Sequence, residues 1–326
     1  MSEPYLVGVI GARGHVGREL LRLIGDHPEL MLAYAGSREF AGRRVAEIAP
    51  EIHDDIEFEA LDAAAAAERR ADAVILALPD GAAAGYVEAI EQAASHRRII
   101  DLSADYRFDD EWTYGLPERN RAALLRARRI ANPGCYATAM QLAVAPMLDM
   151  LSGPPSVFGV SGYSGAGTTP SPRNDETRLA DNLMPYALTG HKHEREATRH
   201  LGAPVRFSPH VHPAFRGLTV TAHLPLAKAM DAADLRAIFD RAYGEEPLIA
   251  VQGAPPELKD GAGRDGVLIG GFSVSDGAAS TNGAAPHAVV VAAEDNLLKG
   301  AAVQAVQNLN LSLGLAETTG LLRRSA

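Results

Sequence analysis

Short apolar runs alternate with helix-period segments through the first third of the chain. Tyr5–Ile10 reads as a buried strand. Val16, Leu20, Leu23 and Ile24 follow at helical spacing, with a stop at Gly25 and Pro28. Leu30–Ala35, Ala73–Leu78 and Arg98–Leu102 predict three further strands, and the alanine-rich Asp62–Arg70 and Gly85–Ser95 predict helices between them. Strands alternating with helices predict βαβ units and a parallel sheet. After about residue 150 the pattern changes. Gly/Ser/Pro-rich stretches (Ser152–Pro155, Ser161–Pro172) flank a short strand, Val157–Ser161, and the later apolar segments are extended: Val205–Val211, Leu218–Leu224, Val267–Val274 and His287–Ala293. With a helix over Asp231–Tyr243, this predicts a second domain of the α+β class. A last helix, Asn296–Leu311, fits either domain by its pattern.

Length agrees with that division, since 326 residues suit two compact units. The net charge of −10 leaves no basic surplus to hold nucleic acid or an anionic membrane, so an anionic substrate must be met by local arginines. The single cysteine excludes an internal disulfide and a multi-cysteine metal site, and no metal is expected. No targeting signal precedes the first strand and no apolar run is long enough to span a bilayer, which predicts a cytoplasmic protein.

Gly11-Ala-Arg-Gly14-His15-Val16-Gly17 lies between the first strand and the first helix, where glycines let the backbone approach a pyrophosphate and a helix N-terminus offers N–H groups. The spacing is GxxGxxG rather than GxGxxG, and a tight turn without a ligand would read the same way. The second strand ends in Gly36-Ser37-Arg38, where an NAD site usually carries an acid. A hydroxyl and a guanidinium suit a 2′-phosphate, favouring NADP. The adjacent Glu39 would reverse that reading if it pointed into the site.

Asn132-Pro133-Gly134-Cys135 delivers the lone thiol to the start of a helix beginning near Tyr136, with Ala139, Leu142 and Ala143 on one face. A free thiol titrates near 8.5, so only a few per cent is thiolate at neutral pH, and a helix N-terminus beside an imidazolium favours the anion. A buried structural cysteine is the bland alternative.

With these stretches in place, the sequence resembles the N-acetyl-γ-glutamyl-phosphate reductases, relatives of aspartate-semialdehyde dehydrogenase and the phosphorylating glyceraldehyde dehydrogenases. The matching stretches are GARGHVG at 11–17, DLSADYR at 101–107, YGLPE at 114–118, NPGCYAT at 132–138, SGAG at 164–167, GHKHERE at 190–196, PHVHPAFRG at 209–217 and EDNLLKGAAVQAVQNLN at 294–310. Two departures stand out: Thr168 follows SGAG where many members carry a basic residue, and His212 replaces a commoner aliphatic residue.

The resemblance implies an α/β Rossmann dinucleotide-binding domain (residues 1–134 and 296–326). It also implies an α+β catalytic and oligomerisation domain with a mixed or antiparallel sheet (residues 135–295), of the glyceraldehyde/semialdehyde dehydrogenase type. It implies an NADPH-dependent reduction of a small anionic acyl phosphate through a Cys135 thioester, in arginine biosynthesis, by a homo-oligomer (dimer or tetramer). A related reductase of a blocked aminoadipyl phosphate, in lysine biosynthesis, is the alternative. The acid/base partner is expected in His191-Lys-His193-Glu-Arg-Glu196, with His193 favoured, His191 competing, and Glu196 one helical turn on to orient the ring. His210 and His212 are weaker candidates. Arg107 and Arg216 are expected at the anionic groups of the substrate, with Arg126, Arg128 and Arg129 on a solvated helical face. Ser164, Gly165 and Asn296 are expected at the nicotinamide end.

Overall fold

The computed structural model describes residues 3–275 and 285–321. The chain divides into two compact units, 1–134 with 301–326, and 135–300.

The first unit is built in chain order from β1 (Tyr5–Ile10), α1 (His15–Gly25), β2 (Leu30–Gly36), β3 (Phe58–Glu59), α2 (Ala63–Glu68), β4 (Ala73–Leu76), α3 (Ala84–Ala93), β5 (Arg98–Asp101), β6 (Thr113–Tyr114), α4 (Pro117–Leu124) and β7 (Arg129–Ala131). They form a parallel sheet of order β3-β2-β1-β4-β5-β7-β6. Strand order reverses beside β1, and the crevice at such a switch point is where α/β sheets bind nucleotides. The central strands are apolar because helices cover both faces of a parallel sheet. Val7, Val9, Val74, Ile75, Leu76 and Ile100 are fully buried. Asp62 caps α2 by accepting the Ala65 N–H (2.9 Å).

The second unit comprises α5 (Cys135–Val144), β8 (Ser156–Gly162), α6 (Glu176–Leu179), β9 (Met184–Pro185), α7 (Lys192–Leu201), β10 (Arg206–His212), β11 (Leu218–Pro225), α8 (Ala232–Tyr243), β12 (Ile249–Val251), α9 (Leu258–Gly261), β13 (Val267–Ser275) and β14 (His287–Glu294). Its mixed sheet runs β12-β13-β14-β11-β8-β10-β9. Alternation is clean on β11: Leu218, Val220, Ala222 and Leu224 are buried on the side where α5 packs, whereas Thr219, Thr221 and His223 face the other way. That second face carries Phe158, 40% exposed, in register with Thr221 and Val291, and a row of Val289 opposite His223.

The helix expected over Asn296–Leu311 is two pieces. A wide turn over Leu298–Ala302, in which Gly300 N–H reaches the Asp295 carbonyl (3.0 Å), precedes α10 (Val303–Leu313). Every residue of α10 is buried. In the first unit, its Asn308 donates to the Gly115 carbonyl (2.8 Å) and Asn132 Oδ1 (3.0 Å), and Asn310 meets His27 Nε2 (3.1 Å). Ala139, Leu142 and Ala143 are buried in α5, as is every other residue from Tyr136 to Val144. Arg129 belongs to a strand rather than a helical face; it meets Glu91 through both Nε (2.5 Å) and Nη2 (2.9 Å). No helix among the described residues is long and apolar enough to cross a membrane.

Candidate active site

At the end of β1 the chain turns through Gly11 with φ +86°, where a Cβ would lie 2.1 Å from the Ala77 carbonyl oxygen. The Gly36 carbonyl accepts both the Gly11 and Ala12 N–H groups (3.0 and 3.1 Å), tying the loop to the end of β2. Gly14 is the N-cap of α1 and supplies no side-chain cap, while a Cβ on Gly17 would strike the backbone of Gly11 and Ala12 at 2.6 Å. A loop stripped of side chains, running into a helix N-terminus formed by His15, Val16 and Gly17, fits a pyrophosphate and the positive end of the helix dipole.

The rim holds the residues expected at a phosphorylated ribose. Ser37 is buried, its Oγ accepting the Phe40 N–H (3.2 Å), and Arg38 is exposed. Glu39, which would have argued for NAD, is paired with Arg13 of the glycine loop (3.1 Å). Its charge is therefore partly neutralised.

Farther along the first unit, Asp101 is buried and its Oδ2 accepts the Ser103 hydroxyl (2.6 Å). Desolvation outweighs that bond and nearby Arg107, so its pKa rises to about 6. Arg107 is also buried. Its Nε donates to the Asn132 carbonyl (2.9 Å) and Nη2 to the Leu102 carbonyl (2.8 Å), so part of the guanidinium braces backbone.

In the second unit, half-buried Cys135 is the first residue of α5. The next side chain anchors the helix: Tyr136 Oη donates to the His210 carbonyl (2.7 Å). A cavity is lined by Cys135, Tyr136, Ser161, Arg173, Tyr186 and His193, among others. The structure thus brings Cys135 and His193 to one cavity.

Its wall includes the start of α7. His191 is the N-cap of that helix, and its Nδ1 accepts the His193 N–H (3.1 Å). Burial, then Lys192 and Arg173, lower the His191 pKa to about 4, so the ring is neutral at physiological pH. The His193 ring lies 4.9 Å from His191 and 6.1 Å from Tyr136 between centroids. Glu196, one turn beyond His193, is on the same buried face.

Other expected residues fall into two groups. Asn296 is buried and bridges Gly217 N–H (2.9 Å) to Ser164 Oγ (2.8 Å), with Gly165 beside it, so Ser164, Gly165 and Asn296 form one assembly. Arg216 lies outside the cavity lining and faces the buried carboxylate of Asp295 (3.4 Å). Asp295 also accepts N–H groups from Gly263 and Leu297. His210 packs on Phe158 (4.4 Å), and His212 Nδ1 accepts the Ala214 N–H (3.0 Å). Behind the nucleophile, Gly300 approaches so closely that a Cβ there would lie 2.6 Å from Cys135 Cβ and 2.9 Å from Glu294 Oε1.

Sequence reasoning passed over Arg173 and Tyr186. A signal for Arg173 existed. SGAG lacks its following basic residue, and the next arginine is in Ser171-Pro-Arg173-Asn-Asp175.

Comparison with known proteins agrees with this architecture. Residues 6–127 match the semialdehyde dehydrogenase NAD-binding domain and residues 135–296 the semialdehyde dehydrogenase dimerisation domain. The chain is 53% identical, over 97% of its length and 98% of the relative, to a protein of Xanthomonas oryzae pv. oryzae named N-acetyl-gamma-glutamyl-phosphate reductase. Proteins of the same name from Stenotrophomonas maltophilia (53% identity, 98% of this chain and 99% of that one) and Xylella fastidiosa (51%, 98% and 96%) are similar throughout. Among solved structures, Vibrio cholerae aspartate semialdehyde dehydrogenase II complexed with ASA shares the fold at TM-score 0.74 and 20% identity, over 96% of this chain and 99% of that one. Candida albicans aspartate semialdehyde dehydrogenase with NADP does so at 0.71 and 17%, over 95% and 98%.

Proposed function

Because this chain belongs to the N-acetyl-gamma-glutamyl-phosphate reductases, we propose that it reduces N-acetyl-γ-glutamyl phosphate to N-acetylglutamate 5-semialdehyde and inorganic phosphate, in arginine biosynthesis, with NADPH as reductant. The observation that carries the reading is the cavity where a helix-start cysteine, an imidazole and a guanidinium meet.

Cys135 benefits from its position at the positive end of α5, which favours thiolate over thiol. The thiolate sulfur attacks the acyl carbon. The C–S bond forms as the C–O bond to phosphorus breaks, phosphate leaves with that electron pair, and a thioester remains on Cys135. NADPH, when bound, supplies the hydride that reduces the thioester. His193 protonates the oxygen that becomes negative and takes the proton back as the carbonyl re-forms and the thiolate departs. His191 is poorly suited to that role, since one ring nitrogen is committed to the helix cap and burial holds the ring neutral. Gly11, Gly14, His15, Val16 and Gly17 are assigned to the pyrophosphate, Ser37 and Arg38 to the 2′-phosphate, and Ser164, Gly165 and Asn296 to the nicotinamide end. Arg107 and Arg216 are assigned to the anionic groups of the substrate, with Glu196 orienting His193.

The partly apolar sheet face carrying Phe158, Val160, Val289 and Val291 supports a homo-oligomer, in the unit that matches a dimerisation domain. A thiolate mechanism suits the reducing cytoplasm. The test is phosphate-dependent oxidation of N-acetylglutamate 5-semialdehyde, with the one-methylene-longer aminoadipate analogue as control. Cys135→Ser should lose turnover by at least about 10³-fold while binding NADPH with wild-type affinity. Near-normal turnover in that variant sinks the mechanism.

A further inference from the structure

We propose that Arg173 receives the phosphoryl group of the substrate in the Cys135 cavity, so that the cation the acyl phosphate requires comes from the 168–175 loop. The inference deepens the reductase reading and rests on it.

A dianionic phosphoryl group next to a thiolate needs positive charge close by. Among the described residues lining the cavity, Arg173 is the one guanidinium, and no lysine lines it. Of the two arginines expected from sequence, Arg216 lies outside this lining and faces Asp295, and Arg107 gives N–H groups to two backbone carbonyls. Arg173 is half-buried, and among the described residues no carboxylate pairs with it. Its guanidinium lies over the Tyr186 ring, 5.1 Å from the centroid. Burial and the neighbouring Cys135 keep the Tyr186 phenol protonated, so its O–H remains a donor. The pair therefore presents N–H and O–H donors beside Cys135, with no carboxylate among the described residues to compete for the guanidinium.

The loop is built to hold this position. The Asn174 amide donates to the carbonyls of Gly167 (2.9 Å) and Thr169 (2.8 Å), while its Oδ1 accepts the Ser171 N–H (2.7 Å). On the other side, Asp175 caps α6 by accepting the Thr177 and Arg178 N–H groups (3.0 and 3.2 Å). Arg173 is thus held between an amide clasp and a helix cap.

The reverse reaction isolates this role. Without phosphate, the semialdehyde and NADP give a single burst of reduced nicotinamide as the Cys135 thioester forms. With phosphate, an oxygen of hydrogen phosphate attacks the thioester carbon, the C–S bond breaks, the thiolate is released and turnover resumes. Stopped-flow absorbance on the full-length protein reads both phases, and fluorescence titration reads NADPH affinity. Arg173→Gln should retain the burst and the NADPH affinity while the KM for inorganic phosphate, and for arsenate, rises by about tenfold or more. Arg173→Lys should fall between, and Asn174→Ala should raise the same KM with a smaller effect. A phosphate KM within twofold of wild type in Arg173→Gln overturns the proposal, as does a burst lost in both Arg173 variants. A wild-type protein with no burst would instead overturn the reductase reading, which keeps the two failures apart.

Discussion

Burial disfavours a charged His191, Lys192 and Arg173 add to that penalty, and a proton on Nδ1 would also break the bond that caps α7. The folded-state pKa, about 4, lies below the ordinary 6.5. The folded protein therefore binds fewer protons here than the unfolded chain. This contribution to stability is complete above about pH 6.5 and is lost as pH falls toward 4. His191→Asn keeps a capping side chain but cannot titrate. Denaturant unfolding of that variant should show a shallower loss of stability between pH 6.5 and 4 than wild type, with the acid limb of the pH–rate profile unmoved. His193→Asn should instead lower kcat by about 10²–10⁴-fold and remove a limb of that profile. At this scale the sequence identified Cys135 through its Pro-Gly turn and the two histidines through their segment. Arg173 left only the indirect signal noted above and Tyr186 left none, because a loop residue acquires its role from where the loop closes and no periodicity records that.

Among the elements, the strands that the sequence revealed are the long central ones, β1, β2, β4 and β5 in one sheet and β8, β10, β11, β13 and β14 in the other. Those missed are β3, β6, β9 and β12 at the sheet ends and β7 beside one of them, each two or three residues long. So few residues cannot display alternation, and their pairing comes from a neighbour already in place. The helices α5 and α10 lacked a single apolar face for the opposite reason, since they are buried nearly all round. The junction of β1 and α1 was legible because glycine is demanded there. Gly11→Ala would drive a methyl into the Ala77 carbonyl at a positive φ. It should reduce stability by about 1–3 kcal/mol and weaken NADPH binding at least about tenfold, as read by thermal unfolding and fluorescence titration.

For the whole molecule, a partly apolar sheet face and a formal charge of −10 act in opposite directions on association. Phe158 lies on that face in register with Thr221 of β11, so Phe158→Asp should shift the protein to a smaller species in light scattering, whereas Leu125→Asp, exposed in the other unit, should not. The wide turn at Leu298–Ala302 has a consequence of a different kind. It works as a spacer in the chain's register: the extra residue it accommodates decides which position comes to rest behind the nucleophile. That position is Gly300, its methyl-sized gap filled by Cys135 itself. A slip of one residue in either direction would put the side chain of Lys299 or Ala301 against the thiol. The reactivity of a cysteine near the middle of the chain is therefore sensitive to the spacing of a segment near its end, where a single-residue insertion or deletion would act as an active-site mutation.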